Sequence, residues 1–173
     1  MACQFTLLDM DERQITDEEG YSILEATVAL EIDGRNVFRS VGVEGARHTV
    51  IMHSREQWIN ETLDMVGDFK ENPKSDAEYS FWMYGTGFGF KLKRNGDLVS
   101  VHLEVNAAGP TQGVSWPQTV QVGTVSSEEW IEAIVSVSKQ LSNMFLRLNK
   151  ELYHDRLFQE QQRNLMILEN WLS

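Results

Sequence analysis

The chain has 173 residues, the size of a single domain (residues 1–173) that can bury most of its apolar surface without disulfides. Its one cysteine, Cys3, excludes a disulfide framework and a paired-cysteine metal site. The chain has 26 acidic and 15 basic side chains, which gives a net charge of −11. This charge disfavours binding to nucleic acid and anionic membranes and favours binding to a basic protein. With no signal-like start and no apolar run of about 18 residues, we expect a cytoplasmic protein.

Acidic residues are concentrated near the N-terminus, after a short predicted strand that contains Phe5 and Leu7. Only Arg13 opposes them in that stretch. A charge run of this kind is either a solvated loop or a surface that binds a basic partner. The candidate partner-binding residues in it are Asp9, Asp11, Glu12, Asp17, Glu18 and Glu19.

Apolar and polar residues alternate from Leu24 to Ile32, which predicts a strand with one buried face. Asp33-Gly34 is typical of a tight hairpin turn and predicts a return strand. The predicted cross-strand pairs are Leu30 with Val37, Val28 with Arg39, Ala26 with Val41 and Leu24 with Val43. A further strand is expected from about Thr49 to Met52.

Two stretches share one helix-entry pattern, residues 54–59 (SREQWI) and residues 126–131 (SSEEWI). Each has a serine whose hydroxyl can accept a hydrogen bond from a backbone N–H at the start of the helix. Each also has a Gln or Glu three residues later, as in a capping box. The first predicts a mid-chain helix that stops at Asn72-Pro73, and the second predicts a long C-terminal helix. Asp155 is expected to cap another helix that runs to Trp171.

Between these helices the pattern predicts more strands. Residues 79–84 are apolar or aromatic on both faces, as in a central strand covered on both sides. Asn95-Gly96 predicts a two-residue turn, which would place Phe88, Phe90 and Leu92 opposite Leu103, Val101 and Val99. The last strand is expected near residues 119–125.

These elements together predict an α+β fold. We expect a mostly antiparallel sheet of about six to seven strands built from hairpins, with one mid-chain helix and a long C-terminal helix or helix pair packed on one face. Residues 154–173 form a predicted C-terminal helix that either docks on the same domain or pairs with a second subunit.

A search for chemistry predicts no catalytic residue, no metal site and no cofactor. The glycines at positions 85, 87 and 89 precede a strand rather than a helix, so they indicate a bulge or a close backbone approach and not a phosphate loop. His48 and His53 would point to opposite faces of one strand, unlike zinc ligands. Trp116 ends a loop, where it either anchors a partner or covers the end of the sheet.

The order of strands, capped helix, strands and C-terminal helices, with the acidic charge, resembles small acidic families of bacterial immunity proteins. The residues that carry this resemblance are Gln57-Trp58-Ile59 and the stretch from Val125 to Trp130. The resemblance implies a non-enzymatic inhibitor that binds a basic toxin.

Two other functions stay open at this point. The C-terminal apolar stripe is similar to that of the small acidic dimeric chaperones of bacterial secretion, which would make this chain a homodimer through its C-terminal helices. The other alternative is an enzyme or small-molecule binder whose pocket lies between sheet and helices, lined by Phe88, Phe90, Trp82 and Trp130.

Overall fold

A computed structural model describes residues 2–9, 15–16, 22–23, 25–43, 45, 47–74, 76–83, 88–105 and 119–173. The strands are β1 (Cys3–Asp9), β2 (Ile15–Thr16), β3 (Ser22–Ile23), β4 (Glu25–Ile32), β5 (Arg35–Asn36), β6 (His48–Ile51), β7 (Ala77–Met83), β8 (Phe88–Asn95), β9 (Leu98–Val105) and β10 (Thr119–Ser126). The helices are α1 (Val37–Ser40), α2 (Met52–Glu71), α3 (Ser127–Leu148) and α4 (Arg156–Leu172), with a 3₁₀ turn at Lys150–His154 between α3 and α4. The fold is therefore α+β with antiparallel pairing, as predicted. The strands form two larger sheets and a two-stranded ribbon (β2–β3) rather than one sheet.

The first sheet is built around β4, which pairs with β1 along one side. β5 and β6 share its other side, β5 at one end and β6 at the other. The predicted alternation in β4 is confirmed by the burial of Ala26, Val28, Leu30 and Ile32. Leu24 lies outside the described residues.

The hairpin after β4 begins as predicted and then departs from the prediction. Asp33 and Gly34 both have positive φ, at 51° and 72°, and Ile32 pairs with Arg35 across the turn. The chain then forms α1, because the Asn36 side chain accepts a hydrogen bond from the Arg39 backbone at 2.9 Å and caps a helix.

The longer return strand predicted from residue 37 onward is therefore wrong. The expected pairing of Leu30 with Val37 is absent, since Val37 is helical. Ala26 pairs with Val50 instead of Val41, and Val28 pairs with His48 instead of Arg39. The predicted pairing of Val43 with Leu24 lies outside the described residues.

The second sheet has the order β10-β9-β8-β7. Its β8–β9 hairpin exists, but Asn95 pairs with Leu98, so the turn is Gly96-Asp97 and the predicted register is wrong by two residues. Gly96 supplies the positive φ (62°) that the first turn position needs. The error leaves the buried face unchanged, because side chains alternate with a period of two.

β7 is an edge strand, not the central strand that its composition predicts. Tyr79, Phe81 and Met83 are buried, whereas Ser80 and Trp82 on the other face are only half-buried. The aromatic content on both faces has a different cause: Trp82 lies against Gly89 of the neighbouring strand, where a Cβ would come within 2.4 Å of the indole.

Only one of the two helix-entry patterns lies at the start of a helix. Ser126 is the N-cap of α3, and Glu129 completes the predicted capping box. Ser54, in contrast, lies inside α2, which begins at Met52, so the first predicted capping box is wrong. Asp155 caps α4 as predicted, accepting from the backbone of Phe158 at 2.7 Å.

One apolar cluster joins residues from Cys3 to Leu168. At its centre the Trp130 ring contacts Phe5, Phe81 and Phe90, with ring centroids 5.4–5.9 Å apart. α2 packs on α3 and β7, α3 packs on β1, and α4 packs on both α2 and α3. This arrangement places α2 along the edge of the second sheet.

Candidate functional site

The predicted partner-binding residues fall almost entirely outside the described residues. Asp9 is the last residue of β1, where it pairs with Thr27 after an irregularity in the ladder. The other members of the predicted set, Asp11, Glu12, Asp17, Glu18, Glu19 and Trp116, lie in parts of the chain that the structure does not describe. Their role stays a prediction.

A second acidic surface lies on α2. Glu61, Asp64, Asp68 and Glu71 follow the spacing i, i+3, i+7 and i+10, so they share one side of the helix. We call these four residues the acidic ridge. Asp64 and Glu71 are exposed, and Glu61 and Asp68 are half-buried. Neither Lys70 nor Arg55, the basic residues of this helix, lies on the ridge side.

The helix is held in place by side chains that bind the open edge of β7. The Ser80 backbone donates to Glu61 Oε1 at 2.8 Å, and the Trp82 backbone donates to Gln57 Oε1 at 3.0 Å. The Gln57 amide donates to the Ser80 carbonyl, and Trp58 Nε1 donates to the Trp82 carbonyl at 2.8 Å. α2 thus supplies the partners that an edge strand otherwise lacks.

These contacts explain why the first capping box fails. The amide of Gln57 satisfies two backbone groups of β7 and does not reach back to the start of its own helix. Ser54, the expected cap, is fully buried within the first turn. The same residue pattern therefore caps its own helix at Ser126, whereas in α2 it binds a distant strand.

Charge repulsion and burial both act on the ridge. Burial raises the pKa of Glu61 above its usual value, and the neighbouring carboxylates of Asp64 and Asp68 raise it further. The hydrogen bond from Ser80 opposes that rise. A cationic side chain placed on the ridge would relieve the repulsion, so the ridge favours basic ligands.

Asp68 ties the ridge to the sheet. Its Oδ2 accepts a hydrogen bond from the Tyr79 hydroxyl at 2.8 Å. Burial, followed by this bond, raises the pKa of Tyr79 to about 12, so the phenol stays a donor at neutral pH. Nearby, buried Arg94 donates to the carbonyls of Pro73 and Gly96 and lies 3.9 Å over the Phe69 ring.

The residues considered for catalysis are not brought together. His53 lies in α2 and not on a strand with His48, because the helix begins at Met52. Cys3 is fully buried, and burial raises its pKa to about 12, which keeps the thiol protonated. Within the described residues, no group of three or more His, Cys, Asp or Glu side chains is arranged to hold a metal ion.

Of the four residues named for a possible pocket between sheet and helices, three belong to the buried core. Phe88, Phe90 and Trp130 are at most 1% exposed and form part of the packed core. Trp82 is on the opposite face of the second sheet, because it alternates with Phe81 and Met83 along β7. The aromatic residues that suggested a pocket therefore pack against each other or lie on separate faces.

No known protein family, curated protein or solved structure matches this chain. In the part of the chain that is described, no helix combines the length and apolar character needed to cross a membrane.

Proposed function

We propose that this chain is a non-enzymatic inhibitor that binds and neutralises a basic protein, such as a toxin, in the manner of the immunity proteins that its layout resembles. The observation that carries the proposal is the acidic ridge, a helix side with four carboxylates and no Lys or Arg, in a chain of net charge −11. Such a surface attracts a basic partner over long range and aligns it before contact.

The geometry of α2 supports a docking role for the ridge. Four hydrogen bonds fix the helix against the edge of β7, so the backbone that carries the ridge and the Glu61 carboxylate are in position before any partner arrives. A preformed surface loses little conformational entropy on binding. The predicted acidic stretch near the N-terminus would add to the same electrostatic attraction.

The dimeric chaperone receives less support. Its case depends on an apolar C-terminal stripe that needs a partner, predicted to contain Leu157, Phe158, Leu165, Leu168 and Leu172. Phe158, Leu165 and Leu168 are already buried in the fold of a single chain, whereas Leu157 is exposed and Leu172 is half-buried. The stripe therefore leaves little apolar surface for a second subunit.

The test is a protection and binding assay with any basic protein that a neighbouring gene encodes. We expect co-expression to relieve the toxicity of that protein and the two to form a complex whose association slows steeply as salt rises. Absence of both protection and binding overturns the proposal.

Charge reversal tests whether the ridge is the surface used. Reversing two exposed ridge residues, Asp64→Lys with Glu71→Lys, is expected to lower the association rate about tenfold. The matched control reverses two exposed glutamates elsewhere, Glu132→Lys with Glu160→Lys, and makes the same change in net charge. Equal losses in the two variants would mean that the partner responds to overall charge rather than to the ridge.

A further inference from the structure

A surface cleft of about 350 Å³ lies among the helices, away from the acidic ridge. It is formed by the end of α3, the 3₁₀ turn and the first half of α4, and its lining residues are Leu146, Tyr153, Phe158, Gln159, Gln162 and Arg163. Its volume is at the lower end of the range for small-molecule sites.

A buried arginine stands directly behind this cleft. Arg55 of α2 is 1% exposed, and its Nη2 donates to Gln162 Oε1 at 2.7 Å. Its Nε donates to Ser142 Oγ at 2.8 Å, and its guanidinium lies 4.5 Å from the centre of the Phe158 ring. Two cleft residues, Phe158 and Gln162, are thus in direct contact with the buried cation.

The positive charge of Arg55 is not balanced by its hydrogen-bond partners. Both partners are neutral, a hydroxyl and an amide. Burial lowers the pKa of Arg55 to about 10, and the negative charge of the neighbouring Glu56 opposes that fall, so the group remains protonated at neutral pH. A buried cation that donates to a hydroxyl and an amide gains further free energy when an anion binds near it.

The polar groups that line the cleft suit an anion. The carbonyl oxygen of Gln162 is used by Arg55, which leaves its N–H₂ group as the donor available to a ligand. Arg163 is exposed at the cleft and adds a second guanidinium. The Gln159 side-chain N–H₂ group donates to the Tyr153 carbonyl at 2.8 Å, so it is already in use within the chain.

The remaining walls are apolar. Leu146, the buried Phe158 ring and the Tyr153 ring, which is 68% exposed, offer a surface for a hydrocarbon body. One exposed cation beside apolar walls matches a monoanion with an apolar body better than a multiply charged phosphate. The high negative charge of the whole chain adds to this preference, because it opposes a multiply charged anion more strongly.

We propose that the cleft between the 3₁₀ turn and α4 binds a small organic carboxylate with an apolar or aromatic body, its carboxylate between Arg163 and the amide of Gln162. The buried Arg55 holds the Gln162 amide in place and contributes its charge through that contact. This site is separate from the acidic ridge and needs no basic partner.

The experiment uses two acids and their neutral amides as probes. Phenylacetate and hexanoate are titrated into the full chain by calorimetry, beside phenylacetamide and hexanamide. We expect saturable binding of at least one acid, and binding of its amide that is weaker by about tenfold or more. Absence of binding by both acids, or equal binding of acid and amide, overturns the proposal.

Two variants locate the binding. Arg163→Gln, an exposed change, is expected to weaken acid binding by about tenfold, whereas Lys93→Gln on the exposed sheet face changes the net charge equally and leaves binding intact. Gln162→Glu keeps an acceptor for Arg55 and adds a counter-charge. We expect it to abolish acid binding and raise the unfolding midpoint. A lower midpoint or retained acid binding in Gln162→Glu would contradict the role given to Arg55.

Discussion

At the scale of single residues, Gly89 has the least room for a side chain among the glycines that the structure describes. A Cβ there would lie 2.4 Å from Cε3 of Trp82, so Gly89→Ala must displace the indole. We expect a loss of about 1–3 kcal/mol in the free energy of unfolding, measured by urea denaturation.

Gly67 is the matched control for that change. It lies within α2, and a Cβ there would have no atom within 4 Å. Gly67→Ala is expected to raise the stability by about 0.5–1 kcal/mol, because alanine loses less conformational entropy in a helix. Equal losses at the two glycines would contradict the close approach of Trp82.

Glu61 makes the stability depend on pH in a defined direction. Its pKa is raised in the folded chain, mainly by burial, so the folded state holds the proton more tightly than the unfolded state. The stabilisation is full below the ordinary pKa of 4.5 and is lost as the pH rises through the raised value.

Replacing Glu61 by Gln tests this dependence. Gln retains an oxygen that can accept from the Ser80 backbone but carries no charge. Urea denaturation at a series of pH values is expected to show a smaller fall in stability for Glu61→Gln than for the unmodified chain as the pH rises above 4.5. Glu71→Gln on the same ridge controls for the loss of one negative charge, and identical pH profiles for all three proteins would exclude the effect.

At the scale of secondary-structure elements, the N-terminus of α3 is stabilised by its own sequence. Ser126 Oγ accepts from the Glu129 backbone at 3.1 Å, and the Ser126 backbone donates to Glu129 Oε2 at 3.1 Å. Ser126→Ala is expected to cost about 1 kcal/mol in unfolding free energy. Ser136→Ala, at an exposed position of the same helix, should change the stability by less than about 0.5 kcal/mol, and a similar loss at both sites would refute the capping role.

Elements set by neighbouring residues could be predicted from the sequence. The caps at Ser126 and Asp155 act within three residues, and both helices begin there. The turn at Asp33-Gly34 is similarly local. The return strand after it is shorter than predicted because Asn36, the last residue of β5, also caps a short helix.

Elements that depend on distant contacts could not be predicted in the same way. The pattern at Ser54 is the same as at Ser126, but Gln57 binds a strand that lies 23–25 residues further along the chain. The composition of β7 indicated a central strand because the edge is covered by side chains of a helix, a partner that strand composition does not reveal.

The candidate sites differ in the same respect. The spacing of Glu61, Asp64, Asp68 and Glu71 is readable from the sequence, but α2 was interpreted only for its apolar side. The cleft in front of Arg55 could not be predicted from the sequence, because the hydrogen-bond partners of Arg55 are 87 and 107 positions away. Local periodicity carries no information about such contacts.

At the scale of the whole molecule, charge is distributed unevenly. The acidic ridge lies along α2, whereas the cleft has two guanidiniums, those of Arg55 and Arg163, beside it. A basic protein and a small organic acid are therefore expected to bind to different parts of the surface. Saturation with the acid should leave the association rate of the basic partner within about twofold, since a single added charge is screened beyond about 10 Å.

The packing of α4 predicts that the chain is a monomer. Its buried side chains Phe158, Leu165 and Leu168 contact the same chain, and Arg55 binds it through Gln162. The exposed apolar residues Leu157, Met166 and Ile167 do not form a continuous second stripe. Leu157 and Ile167 share one side of α4 but lie about 15 Å apart along it, and Met166 lies on the side opposite Leu157. Dimerisation through α4 would therefore require the helix to leave its own chain and lose this buried surface.

Sedimentation velocity across the micromolar range of protein concentration measures the oligomeric state directly. We expect one species at the monomer mass of 19.9 kDa at every concentration, with no change in Leu157→Gln, which removes exposed apolar surface from α4. A dimer that strengthens with concentration and is lost in Leu157→Gln would show that α4 has an outward interface. A dimer that persists in that variant would also contradict the expected monomer and would place the interface away from Leu157.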